Sequence, residues 1–141
     1  LLFPLFLGYP TLVRGYDIAS FDAVDCPQIQ GPCAAFDRLV GSRMLVGNLE
    51  FRFPLLRPLG LSRAMYGPLP VEIAFFADGG VAWRRGERPS FLGGDRRPVA
   101  SAGVAIRANV LGFTVLQLSL ARPFQRPGKG WQFQFSLAPA F

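Results

Sequence analysis

Apolar and polar residues alternate one for one along five stretches of about ten residues each, and no other feature restricts the fold of this chain as much. Leu45, Gly47, Leu49, Phe51 and Phe53 fall on one side, and Met44, Val46, Asn48, Glu50 and Arg52 on the other. Val71, Ile73, Phe75, Ala77, Val81 and Trp83 likewise oppose Glu72, Ala74, Phe76, Asp78 and Gly80. Side chains leave a strand alternately to its two faces, so each stretch reads as a strand with one apolar and one polar face. The pattern predicts strands over 44–53, 71–83, 99–110, 113–122 and 131–141. Segments 84–98 and 123–130, rich in Gly, Pro and Arg, read as loops, and Leu111-Gly112 as a tight hairpin turn. No helix is predicted.

Two all-β architectures fit such strands. A soluble β-sandwich turns its apolar faces inward against a second sheet. A transmembrane barrel turns them outward to lipid and keeps a polar lumen, and about ten residues is the length of a tilted spanning strand. Composition bears on the choice. Half of the residues are hydrophobic, yet only 17% are charged, against about 25% in an average soluble domain. The polar faces carry small residues, amides and isolated charges, which suits a crowded lumen. Phe53, Trp83, Trp131 and Phe141 stand at strand ends, where interfacial girdles sit.

Other classes fall away. The chain is too aromatic for disorder, and no run approaches the roughly 20 apolar residues of a membrane helix. His is absent, which removes His-based triads and most zinc sites. The net charge of +6 comes from arginines scattered beside Pro and Gly, which read as solvated loop charges and point to no nucleic-acid partner. There is no G-x-S-x-G elbow and no Gly-rich loop opening a helix, so catalysis and cofactors are not expected. The first residue is Leu1, and the chain is expected to be a piece of something longer.

Four motifs then carry a resemblance. Leu12-Val13-Arg14-Gly15-Tyr16-Asp17 resembles the VRG(F/Y) signature of the BamA/TamA outer-membrane assembly superfamily, also called bacterial surface antigens. Gly47-Asn48-Leu49-Glu50-Phe51-Arg52-Phe53-Pro54 and Phe75-Phe76-Ala77-Asp78-Gly79-Gly80-Val81-Ala82-Trp83 are similar to two of its strands. Ala121-Arg122-Pro123-Phe124, then Trp131-Gln132-Phe133-Gln134-Phe135 and the terminal Phe141, resemble its last hairpin and C-terminal assembly signal. One departure stands out: assembly members often have Gly where this chain has Ala138, here followed by Pro139.

The resemblance implies an all-β fold: the C-terminal five antiparallel strands of a transmembrane β-barrel of about sixteen strands. A long extracellular loop that enters the lumen would occupy 1–42, and the strands 43–141. The implied work is non-enzymatic insertion, assembly or translocation of proteins at the outer membrane of a Gram-negative-type bacterium. The barrel could instead anchor or export an upstream enzyme or propeller domain. The implied partners are outer-membrane lipid and lipopolysaccharide, a client or passenger protein, and the upstream strands of the same barrel.

The resemblance also places residues. The loop motif Val13, Arg14, Gly15 and Tyr16 would carry Arg14 into the lumen, onto Glu50 and Asp78. Strand parity agrees, since both acids lie on polar faces of neighbouring strands. Arg suits this role because its planar fork takes carboxylates bidentately. Without Arg14, the two acids would face each other with no cation. Cys26 and Cys33 lie in the same loop. A zinc site would need two further ligands, whereas an outer-membrane loop sits in an oxidising place, which favours a disulfide. Phe133, Phe135 and Phe141 would form the assembly signal.

Overall fold

Residues 4–26, 31–54, 71–110, 113–126 and 128–139 are described by the structure, a computed structural model. Five long strands form one antiparallel meander: β3 (Arg43–Pro54), β4 (Val71–Trp83), β5 (Val99–Val110), β6 (Thr114–Pro123) and β7 (Gln132–Pro139). Each strand pairs with its sequence neighbours in the order β3-β4-β5-β6-β7, so β3 and β7 are the open edges among the described residues. The fold is all-β, and the sheet is not closed into a barrel. Observed strand bounds lie within about two residues of those read from alternation, because the period fixes both where pairing starts and which face each side chain takes. The predicted turn at Leu111-Gly112 and the terminal Phe141 lie outside the described residues.

The segment before β3 has more order than a plain loop. It holds a two-residue pair, β1 (Leu5–Phe6) with β2 (Val40–Gly41), a 3₁₀ turn at Ile18–Ser20 and the short helix α1 (Ala34–Asp37). No helix was predicted, and α1 is a single turn, too short to leave a 3.6-residue period in the sequence. Phe36 packs on Phe6 and Phe21, which gives this segment an aromatic cluster of its own.

The segment lies on one face of the sheet, the inner face. Leu7, Val13, Tyr16 and Leu39 close a buried cluster with Ala82 of β4 and Val99 of β5, flanked by Met44 and Val46 of β3. Gly80 permits the approach: a Cβ there would meet Leu7 and Val13 at 3.0 Å. The outer face is bare and apolar. Leu45, Leu49, Phe51, Phe53, Phe75, Ile106, Phe133, Phe135 and Leu137 are all exposed on it, although Val81 is buried. Monomeric soluble proteins rarely leave so large a contiguous apolar patch uncovered.

Candidate functional site

The site is built where the N-terminal segment meets the polar parity positions of β3 and β4. Asn48 pairs with Asp78 across these strands and Glu50 with Phe76, so Glu50 and Asp78 are diagonal neighbours on the inner face. Arg14 comes down onto both. Its Nε and Nη2 donate to Asp78 Oδ2 and Oδ1 at 2.6 and 2.8 Å, and its backbone N–H reaches Oδ2 at 3.2 Å. Its Nη1 donates to Glu50 Oε2 at 3.0 Å. The guanidinium plane lies 3.5 Å from the Phe76 ring centroid, which completes a sandwich of charge and π-face. Asn48 Nδ2 adds a bond to Asp78 Oδ1 at 2.9 Å and holds the Leu12 carbonyl at 2.6 Å. Asp78 is therefore buried with every donor it needs.

Glu50 differs. Arg52 Nε and Arg107 Nη1 also contact its Oε1, at 2.6 and 2.9 Å. Arg107 continues to Gln117 Oε1 at 2.6 Å. The chain Arg14–Glu50–Arg107–Gln117 crosses from β3 to β6, over β4 and β5 at buried Ala74 and Ala105. The expectation that Arg14 is the only cation for both acids is thus corrected: Glu50 has two more arginines, and only Asp78 depends on Arg14. Parity already placed Arg52 and Arg107 on the inner face, and that signal was sufficient to find them.

The rest of the loop motif is held as tightly. Gly15 has φ of 90°, a left-handed backbone that other residues rarely adopt. Its N–H donates to Gln134 Oε1 of β7 at 3.0 Å. Tyr16 Oη lies 2.9 Å from both the Ala100 carbonyl and Gln125 Oε1, and burial pushes its phenol pKa up.

A second arginine runs the opposite way, and no local pattern hints at it. Arg126, read as a solvated loop charge, is 1% exposed. From the β6–β7 connection it donates to Asp25 through Nε and Nη2 at 2.9 and 2.6 Å. It also donates to the Gly15 carbonyl and Ser20 Oγ at 2.8 Å, and to the Ser20 carbonyl at 2.9 Å. Its guanidinium lies over Phe21. The guanidinium–Asp25 bonds hold the Asp25 carboxyl below the usual carboxylate range. Lys129 pairs with Asp22 nearby.

Cys26 and Cys33 are joined by a disulfide, with Cα atoms 5.0 Å apart. A bridge closing so short a loop stabilises by about 2–3 kcal/mol. Protein isolated from the cell envelope is expected to label at neither thiol until it is reduced. Full labelling of both without reductant would contradict the bridge. Phe133 and Phe135 point outward from β7 and are exposed. Among the described residues, no three His, Cys, Asp or Glu side chains come together as a metal site.

A family model described as the Omp85 superfamily domain matches residues 5–141. The chain belongs to the Omp85 superfamily. The match is consistent with the BamA/TamA-type motifs that deliver Arg14, Glu50 and Asp78. No curated protein and no solved structure matches the chain. Omp85 proteins are associated with the bacterial outer membrane, work at a general level in protein assembly or translocation there, and are in general not enzymes.

Proposed function

We propose that this chain supplies the last five strands of an outer-membrane barrel that inserts or translocates other proteins without enzymatic chemistry. Residues 43–141 would be the strands, and 1–42 the extracellular loop that folds back into the lumen, with its leading segment. The observation that carries this reading is an inverted burial pattern. In a soluble sandwich the apolar face is covered and the polar face is wet. Here the N-terminal segment covers the polar face, and the apolar face is bare. Five strands cannot close a membrane barrel, and open edges in lipid leave backbone groups unpaired at several kcal/mol each. The missing wall would come from upstream strands pairing with β3 and β7.

Orientation gives the first test. Phe75 lies mid-strand on the outer face and is 52% exposed. Arg at a mid-membrane lipid-facing site costs about 2–4 kcal/mol. Phe75→Arg is expected to block assembly of the full-length protein. Val115→Arg, at the edge of the inner cavity that Glu50, Glu72, Arg52 and Arg107 also line, faces away from lipid and is expected to leave it largely intact. Heat-modifiable mobility in the outer-membrane fraction reports both, and equal tolerance would sink the barrel reading.

The mechanism proposed is strand templating. The β7 edge would part from the first strand of the barrel and pair with a client strand through backbone hydrogen bonds. Ala138 and Pro139 stay in register with Val115 and Thr114, and a proline on an edge strand withholds one backbone donor from a partner. The alternative, a barrel that only anchors or exports an attached domain, keeps that seam shut. A photo-crosslinker at Ser136 of β7 in the full-length protein separates them. Adducts with newly made outer-membrane proteins support templating. Adducts only with the barrel's own first strand, or with an attached passenger, support the alternative.

A further inference from the structure

Strand parity makes the outer face almost free of charge. Among the described strand residues it carries only Arg43 and Arg122, and both lie at the end of the sheet where the N-terminal segment enters. The opposite end of that face has none among the described residues. Arg43 stands directly across from Trp83 in the β3–β4 register. The cost of a lipid-facing arginine falls away only near the membrane interface, which is also where Trp prefers to sit. The two together mark the level of the lipid headgroups.

The β4–β5 connection folds back to this level. Arg43, Trp83, Arg88 and Leu92, with Gly86 and Glu87, line a cavity of about 540 Å³. The connection is fixed by its own bonds. Ser90 N–H donates to the Arg96 carbonyl at 2.8 Å, and Arg96 Nη1 to the Asp37 carbonyl of α1 at 2.7 Å. Glu87, the acid in the cavity wall, is already engaged by Arg96 Nε and the Arg84 N–H, both at 2.8 Å. Arg43 and Arg88 have no ion-pair partner among the described residues. Two unpaired guanidinium groups, an indole and an exposed Leu92 thus converge beside an apolar wall.

We propose that this cavity is a headgroup site for a phosphorylated saccharolipid of the outer leaflet, whose phosphate is held by Arg43 and Arg88. Guanidinium groups take phosphate oxygens bidentately, and the planar Trp83 ring and Leu92 suit the sugar and the start of the acyl chains. The assignment rests on the outer-membrane reading above.

The test uses the full-length protein, purified from outer membranes in mild detergent and examined by native mass spectrometry. The probes are a bis-phosphorylated lipid A, the same lipid stripped of phosphate, and inorganic phosphate as competitor. Wild-type protein is expected to retain the phosphorylated lipid at least tenfold more tightly than Arg43→Ala/Arg88→Ala, and more tightly than the stripped lipid. Millimolar inorganic phosphate is expected to leave it bound. Equal retention by wild type and variant, or of both lipids, would overturn the site. Displacement by inorganic phosphate would show a small-anion site and overturn the lipid assignment. If the double variant loses heat-modifiable mobility, Arg88→Ala alone, in the exposed connection, makes the same comparison. Absence of the wild-type protein from the outer membrane would instead defeat the outer-membrane reading.

Discussion

Arg14→Ala is expected to release the N-terminal segment from the inner face while the barrel still reaches the outer membrane. The loss falls on Asp78. Its side chain is fully buried and takes two of its four bonds from the Arg14 guanidinium, so Arg14→Ala leaves it with the residue-14 backbone N–H, Asn48 and no cation. Breaking one partner of a buried pair typically costs about 3–5 kcal/mol. Glu50 keeps Arg52 and Arg107 and changes little. Arg14→Lys retains the charge but loses the fork that spans both Asp78 oxygens and the plane that lies on Phe76, so it is also expected to be impaired. Protease sensitivity of the loop in isolated membranes reads these effects. Combining Arg14→Ala with Asp78→Asn is expected to cost less than the sum of the two single changes, because they remove one interaction. Additive losses, or an unchanged loop in Arg14→Ala, would make the pairing incidental.

Arg126→Ala is expected to be comparably damaging, and in a different place. It removes five hydrogen bonds between the β6–β7 connection and residues 15–25, and leaves the Asp25 carboxylate with Lys129 at 4.0 Å as its remaining cation. The expected cost is again about 3–5 kcal/mol. New cleavage is expected within 15–26, whereas Arg14→Ala opens the whole segment. A pH signature accompanies it. Arg126 lowers the folded-state pKa of Asp25, so its contribution is present above the unfolded carboxylate value of about 3.9 and is lost as pH falls through the lowered folded value. Loop protection in the wild type is therefore expected to hold flat from about pH 8 to pH 5 and to fail below about pH 4. Arg126→Ala leaves Asp25 only the more distant Lys129, and the failure should move to higher pH. An unmoved midpoint would show that Asp25 does not govern docking.

The strands and their faces were legible because a period of two is written into every residue of a strand. Glu50 and Asp78 could be placed on one face from parity alone, and the same rule reached Arg52 and Arg107. Arg126 was not legible. It lies between Gln125 and Pro127 in a segment with no period, and its partners are 101 to 111 residues away. Its burial follows from how two connections pack on each other, which no local pattern encodes. Phe76 was hidden for a related reason: an apolar residue on a polar face reads as an exception until Arg14 is seen lying on it. The order within 4–42 was equally silent, since β1 and β2 are two residues each and find one another across more than thirty positions.

On the barrel reading, the Arg14 segment stays docked against the inner face of the sheet in the outer membrane. Val13, fully buried between the segment and the sheet, offers the direct test. With Cys26 and Cys33 replaced by Ser in the full-length protein, Val13→Cys, which fills nearly the same space, is expected to resist a water-soluble maleimide in intact outer membranes. Adding Arg14→Ala should open it to labelling. Rapid labelling of Val13→Cys in a correctly inserted, heat-modifiable protein would contradict the docking.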